Sequence, residues 1–310
     1  MSEIVINAQN LSKNFYNFDS RLPFIKRFLK RNQITIRAVQ DISFTIKRGS
    51  IVGFIGSNGA GKSTTIKMLT GTLYPSSGKL EVNGEIPFKR SINFRKKISI
   101  VVGNKLQLFQ DVSAMDYFQL IGTLYEVEPA ILQERIQELS NLLNVKDQLY
   151  QQVRTLSLGQ KMKMEFIAAS LTSPEILFLD EPTIGLDIQS KKDIRTFLKK
   201  MNEECHTTII LTSHDMDDIS SVCDELIVID KGKIILQESM DVILSKFSDF
   251  KYLKIKMTLD LVPELCSVKG VVVISQTKSE CILKIPRDFV FETLESINKL
   301  VDIEDFEISN

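Results

Sequence analysis

The run Gly56-Ser57-Asn58-Gly59-Ala60-Gly61-Lys62-Ser63-Thr64 has the G-x4-G-K-S spacing of a phosphate cradle. Its glycines free consecutive backbone N–H groups to converge on phosphate oxygens, and a helix starting just beyond adds its positive dipole end. Lys62 is placed to reach the outer phosphates, and the Ser63 hydroxyl is placed to ligate Mg2+. A second constellation, Glu175-Ile176-Leu177-Phe178-Leu179-Asp180-Glu181, is an apolar run ending in two acids. Beside a phosphate cradle, Asp180 holds the Mg2+, usually through water. Glu181 points the other way, polarises an attacking water and accepts its proton. The competing reading is a strand end with two solvated acids.

These groups need elements to position them. Ser50–Ile55 reads as a short apolar strand before the loop, and Thr65–Leu69 as a helix after it. Glu175–Asp180 reads as a buried parallel strand whose carboxyl end opens at the switch point of an α/β sheet. Thr207–Thr212 is another strand, ending at Ser213-His214-Asp215. His214 is either a phosphate sensor or an ordinary strand-end histidine. Between the phosphate cradle and the acidic pair, Leu156-Ser157-Leu158-Gly159-Gln160 leads into an apolar helical stretch to Leu171, with Ser157 as its N-cap. Glycine numbers 14 in 310 residues, yet five of these lie between Gly49 and Gly61, so backbone freedom is concentrated in one early loop.

With 39 Lys+Arg against 39 Asp+Glu, 43% hydrophobic and 25% charged residues, the composition is globular and excludes disorder throughout. The zero net charge disfavours a wholly basic nucleic-acid binder. The longest uncharged stretch, Gly49 to Gly61, is far short of the roughly 20 apolar residues that a membrane span needs. Met1–Asn10 carries Glu3 and lacks a signal-peptide layout, so the chain is expected in the cytosol unless a partner holds it at a membrane. Cys205, Cys223, Cys266 and Cys281 are widely spaced and accompanied by only 2 histidines, which reads as reduced thiols and not structural zinc.

Taken together, the order of these motifs resembles the ATP-binding cassette (ABC) ATPases, the ATP-binding subunits of bacterial ABC transporters. The resemblance runs from about Ile4 to Glu238. The first loop matches Walker A, Leu177–Asp180 matches Walker B with Glu181 as the following glutamate, and Leu156–Gln160 matches the ABC signature. Gly185-Leu186-Asp187 matches the D-loop, and His214 the switch histidine. The wording Leu-Ser-Leu-Gly-Gln, with Asp-Glu-Pro-Thr-Ile-Gly-Leu-Asp and Thr-Ser-His-Asp-Met-Asp-Asp-Ile, is similar to multidrug, antibiotic or sodium exporters made from separate ATPase and membrane subunits.

The resemblance implies an α/β P-loop NTPase (RecA-like) core with an antiparallel β subdomain and a helical subdomain. The cassette would span 1–240, with 111–165 as the helical subdomain that carries the signature. It implies a homodimer or paired cassette closing head-to-tail on two ATP. Ser157, Gly159 and Gln160 of one subunit would reach the γ-phosphate held by the other's P-loop, with Asp187 beside them. Phe15 and Gly56, Ser57, Asn58, Gly59, Ala60, Gly61, Lys62, Ser63 and Thr64 would bind ATP. Glu181, His214 and Lys62 would be catalytic, and Ser63, Asp180 and Asn104 would hold Mg2+. A separate transmembrane permease subunit would place the chain peripherally on the cytoplasmic face of the cell membrane, with no nucleic-acid partner. The alternative classes are a soluble ABC ATPase acting on nucleic acid or ribosomes, and an importer ATPase. The chain has one cassette and none of the coiled-coil or zinc insertions usual in the former.

Three departures from the family pattern stand out. The Q-loop glutamine, after strand Ile98–Val102, falls on Asn104, one methylene shorter, with Gln107 as the nearby alternative. Leu158 stands where the commonest signature has glycine. The adenine-stacking aromatic falls near Lys13–Tyr16: Phe15 by position, with Tyr16 next and core packing as the competing reading of Phe15.

Three segments carry no catalysis. Arg21–Arg31 is a basic stretch with Leu22, Ile25, Phe28 and Leu29 at helical spacing, which either meets anionic lipid or the membrane subunit, or packs on the cassette. Asp111–Tyr150 reads as helical, with apolar stripes; by the resemblance it docks on the membrane subunit. The last segment, 247–310, reads as strands at Tyr252–Met257, Val271–Gln276, Cys281–Ile285 and Asp305–Ile308, with helices at Leu259–Val268 and Phe289–Val301. That order suggests a small α+β, ferredoxin-like C-terminal module, regulatory, dimer-supporting or passive.

Overall fold

The computed structural model describes residues 3–18, 33–248, 250–257, 271–277, 280–286, 293 and 303–309. The chain divides into two compact units, Met1–Glu238 and Ser239–Asn310.

In the first unit, β1 (Ile4–Phe18) pairs antiparallel with β2 (Gln33–Lys47) on one side and β4 (Ser77–Val82) on the other. Along β1, Val5, Ile6, Ala8 and Leu11 are buried while Phe15 and Tyr16 are exposed, so one face is apolar only over its first half. A second sheet has the order β5 (Ile98–Val102), β6 (Ile176–Asp180), β7 (Thr208–Ser213), β3 (Ile51–Ile55), β8 (Glu225–Asp230), β9 (Lys233–Ser239). Strands β5, β6, β7, β3 and β8 run parallel. Every residue of β6 and β7 is buried, which is why these strands read as continuous apolar runs and not as alternating patterns.

Helix α1 (Lys62–Leu69) shares one hydrophobic core with both sheets, through Ile66, Met68 and Leu69 against Ile6, Leu80, Phe54 and Phe178. Phe44 and Phe54 meet edge-on with ring centroids 5.4 Å apart. Each such buried side chain is worth about 1.5–3 kcal/mol, so α1 is held from two sides. Helix α2 (Ile92–Lys97) precedes β5.

The region read as helical over 111–150 contains α3 (Ala114–Leu124) and α4 (Pro129–Leu142). Glu126 takes φ 58 between them, and Pro129 at the first turn of α4 fits a helix start, so the apolar stripe is interrupted. Then come α5 (Leu158–Ser170), which carries the signature, α6 (Ile188–Cys205) and the short α7 (Met216–Ser220). Phe166 of α5 and Phe197 of α6 pack edge-on at 5.6 Å.

The second unit has α8 (Met240–Ser248) and a sheet of order β11 (Val272–Gln276), β12 (Glu280–Pro286), β10 (Phe250–Met257), β13 (Ile303–Ser309). All its pairings are antiparallel, and Leu253, Ile255, Cys281, Leu283 and Ile285 are buried at period two. The expected strands are present. Helix 259–268 lies outside the described residues and helix 289–301 does so but for Thr293; basic segment 21–31 and Cys266 lie outside them too. Cys223 and Cys281 are buried and Cys205 is exposed.

Candidate active site

Because β3, β6 and β7 are parallel, their carboxyl ends deliver the loop 56–61, the pair Asp180-Glu181 and His214 to one edge of the sheet. Gly61 precedes α1 with φ 112, and no side chain caps the helix, so its first-turn N–H groups stay open toward a ligand. A Cβ on Gly61 would lie 2.7 Å from the Ala38 carbonyl oxygen, so only glycine fits there. Lys62 is 5% exposed; its Nζ donates to Gly56 O at 2.7 Å and lies 3.3 Å from Glu181 Oε1.

The Ser63 hydroxyl donates to Asp180 Oδ1 at 2.8 Å, and the Thr212 hydroxyl donates to the same oxygen at 2.8 Å. Register makes this possible, since Asp180 and Thr212 are partners across β6 and β7. Glu181 adopts φ 51, the left-handed region, and its N–H donates to Thr212 O at 3.1 Å and to Thr212 Oγ1 at 3.0 Å. Its Oε2 is 2.7 Å from His214 Nδ1. An ionised carboxylate only accepts, so Nδ1 carries the proton in this bond and Nε2 is left for another partner. His214 is half-exposed.

A cleft of about 410 Å³ is lined by the loop 57–64 together with Asn104, Glu181 and His214. Asn104 owes its place to Gly103, whose N–H donates to Asp180 O at 2.9 Å. A Cβ on Gly103 would stand 1.9 Å from the Glu181 carbonyl oxygen. Gln107 goes elsewhere: its Nε2 donates to Ile100 O at 2.9 Å, and it lines a separate cleft of about 230 Å³. The backbone N–H groups of Gln107 and Leu108 both donate to Glu165 Oε1, the latter at 2.8 Å. Burial pushes the Glu165 carboxyl up.

Gly103, Thr212 and Glu165 do not stand out as site residues in the sequence. Only Glu165 leaves a signal there, as an acid on the apolar face of α5.

Ser157 caps α5 as expected, in a reciprocal box: its Oγ accepts from Gln160 N at 3.2 Å, and Gln160 Oε1 accepts from Ser157 N at 2.9 Å. A Cβ on Gly159 would lie 2.3 Å from Ser190 Oγ and 3.0 Å from Asp187 Oδ2, so α5 starts directly against the start of α6. Asp187 caps α6, with Oδ1 accepting from Ser190 N at 2.8 Å and Oδ2 from Ser190 Oγ at 2.7 Å. The Ser190 backbone bond leads in holding the Asp187 carboxyl below its usual value. Ser157, Gly159, Gln160 and Asp187 thus sit together, outside the cleft that holds Lys62. Phe15 stands on β1 opposite Ile36, 40% exposed and so not core-packed, with Lys13 Nζ 5.3 Å from its ring centroid. Tyr16 is more exposed, at 60%.

A family model described as ABC transporter matches residues 39–184. The ABC transporter ATP-binding protein NatA of Bacillus subtilis is 32% identical over 216 residues, covering 70% of this chain and 87% of that protein. The chain belongs to the ATP-binding cassette family. The linearmycin resistance ATP-binding protein LnrL of Bacillus subtilis is 34% identical to the cassette over 197 residues, 64% of this chain and 63% of that protein. Among solved structures, cbiO1 of Clostridium perfringens, part of the ABC transporter complex cbiONQ, superposes with a TM-score of 0.66. Its identity is 25%, covering 79% of this chain and 92% of that one. An ATP-binding cassette solved as a dimer in a post-hydrolysis state with ADP and Pi shares the fold, with a TM-score of 0.63 at 20% identity, covering 76% of this chain and 98% of that one. The cassette is therefore a P-loop α/β ATPase, the ATP-binding subunit of an ABC transporter.

Proposed function

We propose that this cassette powers export through a separate transmembrane permease, bound peripherally at the cytoplasmic face as one of two cassettes that close on two ATP. The linearmycin resistance for which LnrL is named and the wording of the signature support export. No described helix is long and apolar enough to cross a membrane.

In this reading the loop 56–64 and Lys62 grip the phosphates while Phe15 stacks on the adenine. The hydroxyl of Ser63 and the carboxylate of Asp180 converge at 2.8 Å, a hard-oxygen pair of the kind Mg2+ prefers, with the Asn104 amide on the same cleft. One buried cation, Lys62, pairs with Glu181, while the neighbouring Asp180 accepts from the hydroxyls of Ser63 and Thr212, a charge deficit that a divalent cation arriving with the nucleotide offsets. When bound, Mg2+ supplies charge neutralisation to the phosphates. Glu181 accepts the proton of the attacking water. His214 orients it through the Nδ1 bond and offers Nε2 to a phosphate oxygen. Ser157, Gly159, Gln160 and Asp187, grouped outside the cleft, meet the partner's ATP. The single observation carrying this reading is the Glu181 carboxylate, 2.7 Å from His214 Nδ1 and 3.3 Å from Lys62 Nζ.

The test is Glu181→Gln. It is expected to bind ATP, accumulate as a dimer and lose turnover by about 10² to 10⁴. Turnover equal to that of the unmodified cassette overturns the assignment. Copurification of that trapped form with a polytopic membrane protein tests the permease.

A further inference from the structure

Glu181 and His214 meet through side chains, yet each leads into a segment that must be fixed for the meeting to hold. Thr183 is two residues beyond Glu181, and its buried hydroxyl donates to Asp218 Oδ2 at 2.6 Å. Asp218 lies four residues beyond His214 on α7 and is 1% exposed. One buried carboxylate therefore anchors the chain just beyond each member of the pair. Its other oxygen, Oδ1, accepts from Arg195 Nε at 3.0 Å and from Arg195 Nη2. Lys191 Nζ is 3.6 Å from Asp218 Oδ2 and 2.8 Å from Asp215 Oδ2. Arg195 and Lys191 stand on α6, whose cap is Asp187 and whose start packs on Gly159. Two cations and two carboxylates close this cluster, so it has no charge to spare for a ligand.

We propose that Asp218, with Thr183, is a positioning centre for hydrolysis. It holds Glu181 and His214 in register, and through Arg195 and Lys191 it ties that register to the α6 start that carries Asp187. This inference rests on Glu181 being the base. The left-handed backbone at Glu181 makes such an anchor necessary, because a residue in a sparsely populated conformation relaxes unless its neighbours over-determine it. Contact with the partner at Asp187 then reaches the chain's own Glu181 through one helix and one carboxylate. The coupling is measurable as a change in turnover.

The experiment is steady-state ATP turnover of the full chain carrying Thr183→Val, which keeps the shape and removes the hydroxyl. The expected result is a kcat about tenfold lower with KM for ATP within about twofold, since a misplaced base affects the chemical step and not binding. Thr183→Ser restores kcat to within about twofold, because only the hydroxyl matters. Added to Glu181→Gln, Thr183→Val leaves the residual rate unchanged, as the group it positions is already gone. Arg195→Lys, which disturbs the same anchor from α6, gives the same split of kcat from KM and serves if Thr183→Val does not fold. Unchanged kcat in both single variants overturns the proposal, as does an equal loss in Thr183→Ser, or a loss that multiplies fully onto that of Glu181→Gln. Failure of the underlying reading looks different: Glu181→Gln alone turns over like the unmodified chain.

Discussion

Strand β6 carries charge at both ends, and the two ends are built differently. At its start, Glu175 accepts from Lys97 at 3.0 Å and from Arg48 at 2.9 Å, while Arg48 also holds Glu3 at 2.9 Å and Asn83 at 2.8 Å. Two cations meet two carboxylates. At the other end, one buried cation, Lys62, pairs with Glu181 at 3.3 Å, while Asp180 accepts from the Ser63 and Thr212 hydroxyls, beside a cleft of about 410 Å³. The first cluster is balanced and fastens strands together. The second is left acidic, open and held by hydroxyl and backbone donors, the condition of a site that completes itself with a substrate and its counterion.

Removing Lys62 breaks this contrast most severely, since it leaves Glu181 on the cleft without its cation. Lys62→Ala is expected to weaken nucleotide binding and to lower turnover by about 10³, read by ATP titration and phosphate release. Gly103→Ala comes next: the added methyl meets the Glu181 carbonyl, so turnover falls about 100-fold and stability by about 1–3 kcal/mol, read by kinetics and thermal unfolding.

Glu175→Gln at the opposite end sharpens the comparison from below. Turnover stays as it was, and stability falls by about 0.5–1 kcal/mol, because the cluster is part-exposed and screened. Burial works to raise the Glu175 carboxyl, but hydrogen bonds from Lys97 and Arg48 prevail and hold it below its usual value. A depressed carboxyl stabilises the fold above its ordinary range and ceases to as pH falls through its folded value. The difference between the two chains in chemical denaturation is therefore full at neutral pH, begins to shrink as pH enters the ordinary carboxylate range at about pH 4.3, and is gone once pH lies below the depressed folded value.

Much of the site was legible because it lies in short contiguous runs: the glycines before Lys62, the acids closing β6, the serine and glutamine of the capping box. Strands β3, β6 and β7 were legible because burial on both faces makes their central residues continuous apolar runs. What stayed hidden depends on residues far apart in the chain. Gly103 reads as a turn glycine until Glu181 is set against it. Asp218, Arg195 and Lys191 read as ordinary polar positions of amphipathic helices, since only the fold brings α6 and α7 together. That Asn104 and not Gln107 lines the cleft depends on which way a loop leaves β5, and composition is silent on that. The long antiparallel strands β1 and β2 were only partly readable, because Phe15, Tyr16 and Ile36 are exposed there and blur the alternation.

The left-handed backbone of Glu181 has an evolutionary consequence. A non-glycine residue in that conformation costs about 1 kcal/mol or more, so glycine is the residue that backbone stability alone would favour there. Replacement by glycine relieves the main chain and deletes the carboxylate in one step. For a lineage released from the need to hydrolyse ATP, the road to an inert, sturdier cassette would run downhill from the residue proposed as its base.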